Sequence, residues 1–449
     1  MKNSIVLGFA FGDEGKGAVV QALCHTAIRE GRKPLVIRFN GGPQAGHTVC
    51  HDSITHICSS YGSGTLLGVD TFITYTAMFD PICMHNEYLA LVKEYGSVGK
   101  DIKRLPKVFI HEDAHVITPY DTLLGRANEK IKSDGTCGKG IYMCYRRDEV
   151  HEDIYGDLRY PTSGELSEGE QASKELLDDV EKFYRDYLKN ETMDEFFKEY
   201  DRDALRSEFI YAMNELLRLG LVVFVSGMRD IQEYTKKFSE DHQEITECIY
   251  EGAQGLLLDM DFGYFPNVTP SHTGLLNLMP KGLRQENIMK QEDTIVYLVT
   301  RTYLTRHGNG YIPMFPLNPS NGICKGYGFL FDPDYPETNS NNEWQGEFKI
   351  GALELSLLND AVSRHHLDNY PKRYGTKFAL VVTHMDTVQR AGTFYYELNG
   401  RLTQTSLIDK PSRVVKRITD NLRMAFFEVY MTDHPSADEL KPLKLYGKK

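Results

Sequence analysis

The chain has 449 residues, 41% of them hydrophobic, and a formal charge of −12. That length is two or three average domains or one large α/β domain, and the apolar content suffices for a sizeable core. The negative balance argues against nucleic acid or an anionic membrane as the main partner, while small anionic substrates stay open because local loops can be positive. Eight cysteines are scattered with no C-x-x-C pair and no zinc spacing, which suits structural thiols in a reducing cytoplasm. The first residues carry no charged segment followed by a long apolar run, so no signal peptide is expected. No stretch approaches about 18 apolar residues, so no membrane span is expected either.

The apolar run Ile5–Leu7 reads as a buried first strand, and it opens into Gly8, Gly12, Gly15 and Gly17 with Asp13, Glu14 and Lys16 among them. Such a loop exposes backbone N–H groups and aims a helix N-terminus at an anion, and the lysine adds a point charge. It departs from the usual phosphate loop: Ala10 stands in place of the first glycine, and Gly17 in place of the Ser/Thr metal ligand. Asp13 is then the available oxygen donor for Mg²⁺. The bland alternative is a tight strand–helix turn. Val19–Arg29 has helical periodicity and forms the helix behind the loop. Leu35–Phe39 reads as a second strand of the same sheet and runs into Gly41-Gly42-Pro43-Gln44-Ala45-Gly46-His47-Thr48. Two glycine loops meeting at strand ends make His47 a catalytic candidate rather than a structural histidine.

G-D-E-G-K-G followed by N-G-G-x-x-A-G-H-T resembles the adenylosuccinate synthetase family. The resemblance implies a large, mainly parallel α/β sheet of P-loop-like type with helical insertions, forming one domain over residues 1–449. It implies GTP as co-substrate, Mg²⁺ and a homodimer. It also implies a reaction that phosphorylates the 6-oxygen of IMP and lets the amine of L-aspartate displace the phosphate. Carried over residue by residue, it assigns Gly12, Glu14, Gly15, Lys16, Gly17 and Thr48 to GTP, Asp13 and the Gly46 carbonyl to the metal, and Asp13 and His47 to catalysis. Gln44 stands where the family has an asparagine near the 6-oxygen.

Further along, Glu87–Tyr95 reads as an amphipathic helix, Val108–Ile110 and Val116–Ile117 as strands, and Thr122–Lys132 as a helix. Asp134–Ile141 resembles the family loop G-T-T-G-R-G-I-G-P that grips the nucleotide monophosphate. That makes Thr136, Cys137 and Lys139 nucleotide contacts, with Cys137 replacing a threonine and Lys139 an arginine. Arg146 or Arg147 would reach across a dimer interface, or both are solvated surface residues. Residues 151–247 are rich in Glu, Lys and Asp and read as a mostly helical insertion. It contains one long amphipathic helix around Leu176–Leu188, a capping box from Ser167 to Glu170, and a buried strand at Leu221–Val225. IYEGAQGLLLDMDFGYFPNVTPSHTG resembles the family's E-G-A-Q-G-T-L-L-D-x-D-x-G-x-x-P-x-V-T-S. Gln254 is implied to hold the phosphorylated 6-oxygen and Thr269 the nucleotide phosphate; the bland reading of Gln254 is a buried amide closing a turn. Thr294–Thr300 is strand-like, and TRTYLTRHGNGYIPM resembles Y-T-T-R-V-G-x-G-P-F-P-T. VVTHMD resembles a strand ending T-K-x-D, whose carboxylate takes guanine's N1–H and 2-amino donors. Asp386 therefore implies GTP over ATP, with His384 in place of the lysine that stacks on the base.

The resemblance weakens at the amine-donor loop, where the family has T-T-G-R-x-R-R before a helix starting G-W-L-D. Here the segment reads TNSNNEWQGEFKI, with the helix start placed at Gly351-Ala352-Leu353-Glu354, and no arginine occurs between Arg306 and Arg364. Asn342, Gln345, Glu347 and Lys349 are the donor-loop candidates. A dicarboxylate wants guanidinium partners, so free L-aspartate, the family default, is expected to be a poor donor unless arginines arrive from elsewhere. The intact Asp13 favours IMP or dIMP over dGMP, the substrate of the phage 2-aminoadenylosuccinate synthetase group. The rivals are a different amine or a modified purine, a non-catalytic nucleotide sensor, and a GTPase switch.

Overall fold

The computed structural model describes residues 1–99, 105–132, 137–155, 162–239, 241–279, 293–311, 313–317, 325–332, 344, 346–406, 411–432 and 440–442. In chain order the strands are β1 (Lys2–Gly8), β2 (Pro34–Arg38), β3 (His47–His51), β4 (Ile54–Cys58), β5 (Thr71–Ile73), β6 (Met78–Phe79), β7 (Val108–His111), β8 (His115–Val116) and β9 (Val222–Val225). They continue with β10 (Glu247–Gly255), β11 (Thr294–Arg301), β12 (Tyr303–His307), β13 (Phe348–Glu354), β14 (Lys377–Thr383), β15 (Thr393–Leu398), β16 (Arg401–Ser406), β17 (Glu428–Met431) and β18 (Lys441–Pro442).

Ten strands form the main sheet in the order β18-β17-β14-β11-β1-β10-β2-β5-β7-β9, and every pairing but β17–β18 is parallel. The central strands lack polar alternation because both faces are covered: Ile5, Val6 and Leu7 are wholly buried, as are Val36, Ile249 and Leu298. Each such side chain contributes about 1.5–3 kcal/mol of burial. The two glycine loops belong to one sheet, as expected, but not to neighbouring strands: β10 lies between β1 and β2. That insertion brings the E-G-A-Q-G segment between the two loops at the carboxyl ends of the strands.

Helix α1 (Lys16–Arg29) follows the first loop directly, three residues earlier than its apolar pattern suggests, and packs on β1, β10, β2 and β3. Next come α2 (Pro81–Ser97), capped by the Asp80 carboxylate on the Cys83 N–H, then α3 (Pro119–Lys132) and α4 (Ile141–Tyr155). The 151–247 segment supplies α5 (Glu170–Leu188), α6 (Asn190–Glu199), α7 (Arg202–Arg218) and α8 (Met228–Phe238), and its strand β9 closes one edge of the main sheet. The expected capping box is displaced: Glu165 accepts from the Thr162 N–H, while Ser167 donates to the Gly164 carbonyl. A short antiparallel ribbon, β3–β4, carries His47 at its start, and a second sheet runs β12-β13-β15-β16.

The expected helix start at Gly351–Glu354 is strand instead. Ala352 pairs with Tyr303 and Leu353 with Tyr396, so β12 and β15 satisfy this backbone, and α9 (Leu355–Arg364) begins one residue after Glu354. Sheet pairing of buried Ala352 and Leu353 outweighs the local helical pattern. Helices α10 (Tyr370–Tyr374), α11 (Met385–Ala391) and α12 (Ser412–Asn421) complete the chain. No described helix is long and apolar enough to cross a membrane.

The ribbon is tied to α2 by a buried charge cluster. His56 Nδ1 lies 2.7 Å from Glu94 and Nε2 lies 3.3 Å from Glu87, whose carboxylate also accepts the Ser59, Ser60 and Tyr61 N–H groups. Burial opposes the imidazolium, but Glu87 and Glu94 outweigh it and raise its pKa above the ordinary 6.5. A folded value above the unfolded one gives stability that is full below the unfolded pKa and lost as pH rises through the folded pKa. The stability difference between the wild type and His56→Gln should therefore shrink as pH is raised from below about 6 to above 8 in paired urea melts. A difference that is constant or grows with pH would contradict the charged-cluster assignment.

Candidate active site

The first loop is ordered from inside. Glu14 is buried, and its Oε1 accepts the Ala10 N–H at 3.1 Å and the Gly12 N–H at 2.8 Å, while Lys16 Nζ donates to Oε2 at 2.8 Å. The Glu14 side chain is therefore spent on loop geometry. A Cβ on Gly8 would strike that carboxylate, falling 2.3 Å from Oε2, which explains the glycine at the strand end. Gly17 has an equally local cause. A Cβ there would lie 2.8 Å from His47 Cβ and 3.2 Å from Ser63 Oγ, so the Ser/Thr of an ordinary phosphate loop has no room. Asp13 takes a left-handed φ of 61°. Burial raises its carboxyl, but His307, Arg301 and Lys16 together hold it below the ordinary carboxylate range.

His47 lies on the other side of this loop. Its Nδ1 is 2.5 Å from Glu251 Oε1, which fixes Nδ1 as the donor, and its buried Nε2 has no partner among the described residues. Burial depresses the imidazole, Glu251 opposes that, and Lys16 and Arg38 reinforce it, so the net direction is downward. Glu251 is fully buried and its carboxyl sits at about 2: burial pushes it up, but His47, Arg38 and Ser63 more than compensate. Gln44 folds back on its own loop, its Oε1 accepting the Gly42 N–H at 2.7 Å, and its buried Nε2 is left without a partner. Asn40 bolts the second loop to β10 and to the segment after it by accepting the Ala253 N–H at 2.9 Å and donating to the His272 carbonyl at 3.1 Å.

The E-G-A-Q-G segment is the end of β10. Gly255 touches backbone with backbone: a Cβ there would lie 2.2 Å from the Ala10 carbonyl oxygen. This close approach sets Gln254 Oε1 3.6 Å from where a Cβ on Gly12 would be, so Gln254 borders the first loop at Gly12, next to Asp13 in sequence. Thr269 is half-buried and donates its N–H to Leu258. At the end of β14, Thr383 Oγ1 donates to the Glu14 carbonyl at 2.7 Å, and His384 (φ 55°) and exposed Asp386 follow. The T-H-M-D segment thus borders the first loop. Thr48 pairs with Ile57 in the ribbon, and Gly46 packs against the Ile57 side chain.

The 137–141 loop adjoins the second glycine loop, where a Cβ on Gly42 would lie 2.9 Å from Ile141 Cδ1. Cys137 packs on the small apolar cluster of Met78, Ile117, Ile141 and Cys144, and Lys139 Nζ lies 3.9 Å from Cys83 Sγ. Thr136 falls outside the described residues, as do Asn342 and Gln345. Arg147 does not fit a cross-subunit role. It is 2% exposed, donates to the Val116 carbonyl at 2.7 Å and lies 3.3 Å from Asp121, so it serves the core. Arg146 is surface-exposed and pairs with Glu149 and Tyr187. In the donor segment, Lys349 lies in β13 and donates to the Gly308 carbonyl, Glu347 is exposed, and Trp344 covers Gly138 with Arg126 5.3 Å from its ring.

Five residues join the site that motif reading passes over. Glu251 and Ser63 orient His47. Arg301 donates to the Asp13 carbonyl, His307 faces the Asp13 carboxylate, and Arg306 lies 4.1 Å over Phe11 in the first loop. Glu251 had a signal, a carboxylate within a largely apolar strand. Arg306 and His307 depend on β12 folding back over the first loop, Arg301 ends β11 and Ser63 follows the ribbon, and spacing alone reveals none of these placements.

The adenylosuccinate synthetase family model matches residues 5–317, ending before the donor segment and the T-H-M-D strand. The adenylosuccinate synthetase of Flavobacterium johnsoniae is 30% identical over 328 residues, covering 70% of this chain, and the chain spans 66% of that protein's length. The structure of fully ligated adenylosuccinate synthetase from Plasmodium falciparum superposes with a TM-score of 0.67 at 19% identity, covering 98% of this chain and 99% of its own. Cyanophage S-2L succinoaminodeoxyadenylate synthetase, bound to dGMP and dATP, gives 0.55 at 15% identity, covering 98% and 95%. At these identities the two structures speak to the fold. With the family model matched over most of its length, the chain belongs to the adenylosuccinate synthetase family of ligases.

Proposed function

We propose that the protein is a GTP- and Mg²⁺-dependent C–N ligase that activates the 6-oxygen of IMP or dIMP and replaces it with an amine, acting as a cytoplasmic homodimer. The observation that carries this reading is the meeting of Asp13, Lys16, His47 and Gln254 at the carboxyl ends of β1, β2 and β10, with the T-H-M-D segment alongside. A GTPase switch or a non-catalytic sensor has no use for a carboxylate, an oriented imidazole and an amide around one space.

In this reading Asp13 takes the N1 proton of the 6-oxopurine, and Gln254 holds the oxygen that becomes phosphorylated. Lys16 and the loop N–H groups hold the phosphates of GTP. His47 is kept in one tautomer by Glu251; phosphate charge at Nε2 favours the protonated ring, which then donates to the transferring group. The residues fit a hard divalent cation: the Asp13 carboxylate and the Gly46 carbonyl are oxygen donors that would hold it. Mg²⁺ held there would supply charge neutralisation for phosphoryl transfer. Asp386 takes the two guanine donors, and His384 flanks the base. Lys139 and Thr269 face the nucleotide phosphate, and Arg146 is the remaining candidate for a contact across the dimer.

Removing the base should cost about 10²–10⁴-fold in turnover with little effect on GTP affinity. An Asp13→Ala protein that still forms product at the wild-type rate, measured by phosphate release, refutes the assignment. For the nucleotide, calorimetry with Mg²⁺ should find GTP bound well above ATP, and Asp386→Asn should erase the preference. Equal affinities in the wild type would remove Asp386 as the base reader.

The amine is the finer question. Lys349 is already used by the Gly308 carbonyl, which leaves the donor segment with less free positive charge than its sequence suggests. Two carboxylates entering a partly dry pocket each need compensation, and an unpaired buried charge costs several kcal/mol. Incubation with GTP, Mg²⁺, IMP and a panel of amines, read by mass spectrometry, should give weak adenylosuccinate and a stronger product from another donor. An adenylosuccinate signal at least as strong as any other restores L-aspartate as the donor.

A further inference from the structure

The cysteines show no zinc spacing along the chain, yet the fold gathers a metal-ligand set from two elements. His56 and Cys58 alternate with Ile57 in β4, and Glu87 and Glu94 stand two turns apart in α2. His56, Cys58 and Glu87 are all buried, and one ligand atom from each falls within 4.8 Å of the other two. Nitrogen and oxygen ligands about 2.0–2.1 Å from a zinc ion lie about 3.3 Å apart along a tetrahedral edge. His56 Nε2 lies 3.3 Å from Glu87 Oε1. An edge to a thiolate is about 3.6 Å, so Cys58 Sγ closes the set by an approach of roughly 1 Å. His56 Nδ1 is 2.7 Å from Glu94 Oε2, the kind of contact that fixes a ligating ring and leaves Nε2 for the ion. The Ser60 and Tyr61 N–H groups reach Glu87, but the buried hydroxyls of both residues have no partner among the described residues. Buried polar atoms left in this way call for a water or an ion. The Glu94 side chain, 32% exposed, marks the way in from solvent.

We propose that His56 Nε2, Cys58 Sγ and Glu87 Oε1 hold a structural Zn²⁺, with Glu94 orienting the imidazole and a water as fourth ligand. Thiolate and imidazole suit zinc, whereas Mg²⁺ takes oxygen, so this site is separate from the one at Asp13. Glu87 can serve both needs: Oε1 faces the ion while Oε2 keeps the Ser59 and Ser60 N–H groups. Binding is an exchange. In the metal-free cluster a proton on Nε2 faces Glu87 and Cys58 is a thiol; both protons leave to water as the divalent ion enters, and the net charge buried there is unchanged. The urea melts described for His56→Gln therefore use chelator-stripped protein. The water bound to the ion would give the Ser60 and Tyr61 hydroxyls the partner they lack. Cys58 is the residue that pairs with His47 across the ribbon, so the ion fastens to α2 the strand opposite that histidine. The inference does not depend on the ligase reading, because metal binding is read without substrate.

The test titrates the full chain, stripped with a chelator and kept in excess Mg²⁺, with Co²⁺ as a spectroscopic probe for zinc. One equivalent should give a thiolate-to-cobalt charge-transfer band and the strong visible bands of four-coordinate cobalt, and Zn²⁺ should displace both. Cys58→Ser should abolish the charge-transfer band, and Cys50→Ser, which removes the other thiol of the ribbon, should keep it. Glu94→Gln should weaken zinc binding about 10–100-fold with the band still present. A wild type without the charge-transfer band, or a band that survives Cys58→Ser or is lost in Cys50→Ser, overturns the proposal. Should Cys58→Ser fail to fold, X-ray absorption on the zinc-loaded wild type decides. One sulfur at about 2.3 Å with nitrogen and oxygen at about 2.0–2.2 Å is expected, and a shell without sulfur overturns the assignment.

Discussion

A carboxylate buried in the middle of the sheet governs this site. Glu251 projects from β10, the strand between the two glycine loops, where an unpaired charge would cost several kcal/mol. Its compensation comes from His47 Nδ1, from the Ser63 N–H at 3.0 Å and hydroxyl, and from Arg38 nearby. Each partner lies on a different part of the chain, so satisfying one charge fixes the second loop, the ribbon and β10 against each other. The functional consequence is an imidazole whose direction is not negotiable: with Nδ1 committed, Nε2 is the nitrogen left for a ligand.

Around that contact, several glycines record how closely the loops approach. Gly8 makes room for the Glu14 carboxylate, Gly17 for His47, and Gly255 for the Ala10 carbonyl. None of these is mainly about flexibility; a methyl at any of them would displace a neighbour that holds the site. Gly12 and Gly15 differ, since φ values of 97° and 87° allow the loop to turn its N–H groups in one direction. The departure from the ordinary phosphate loop at position 17 follows from packing, because the helix start lies directly under the histidine of the second loop.

Much of this was legible in the sequence where function is local to a loop. The buried strands without alternation and the helix α1 are elements whose signals lie within a few residues, and they form as expected. What escaped was set by long-range pairing. Gly351–Glu354 has the look of a helix start, but its partners Tyr303 and Tyr396 are far away in sequence and make it strand. Arg147 looked like a surface cation until Asp121 and the Val116 carbonyl enclosed it. His307 lay within a quoted motif, yet its meaning depends on which strand end it covers.

The same long-range packing bears on the amine. Arg306 is the guanidinium that β12 brings next to the first loop, but it is 2% exposed, lies over the Phe11 ring and donates Nη2 to the Asn267 carbonyl at 2.9 Å. Its Nε and Nη1 have no partner among the described residues, and burial pulls it down to about 10. The turn at Gly310 presses on it so closely that a Cβ there would fall 1.9 Å from Nη2. A cation sealed this way cannot form the two-pronged pair that a carboxylate prefers unless the turn moves. Stacking on Phe11 returns only part of the lost hydration, typically about 2 kcal/mol when desolvated. With Lys349 bound to a carbonyl and Arg306 enclosed, positive charge in this region is structural before it is available to a ligand. In the proposed ligase, a donor whose recognition depends less on carboxylates would suit these described residues better than a dicarboxylate.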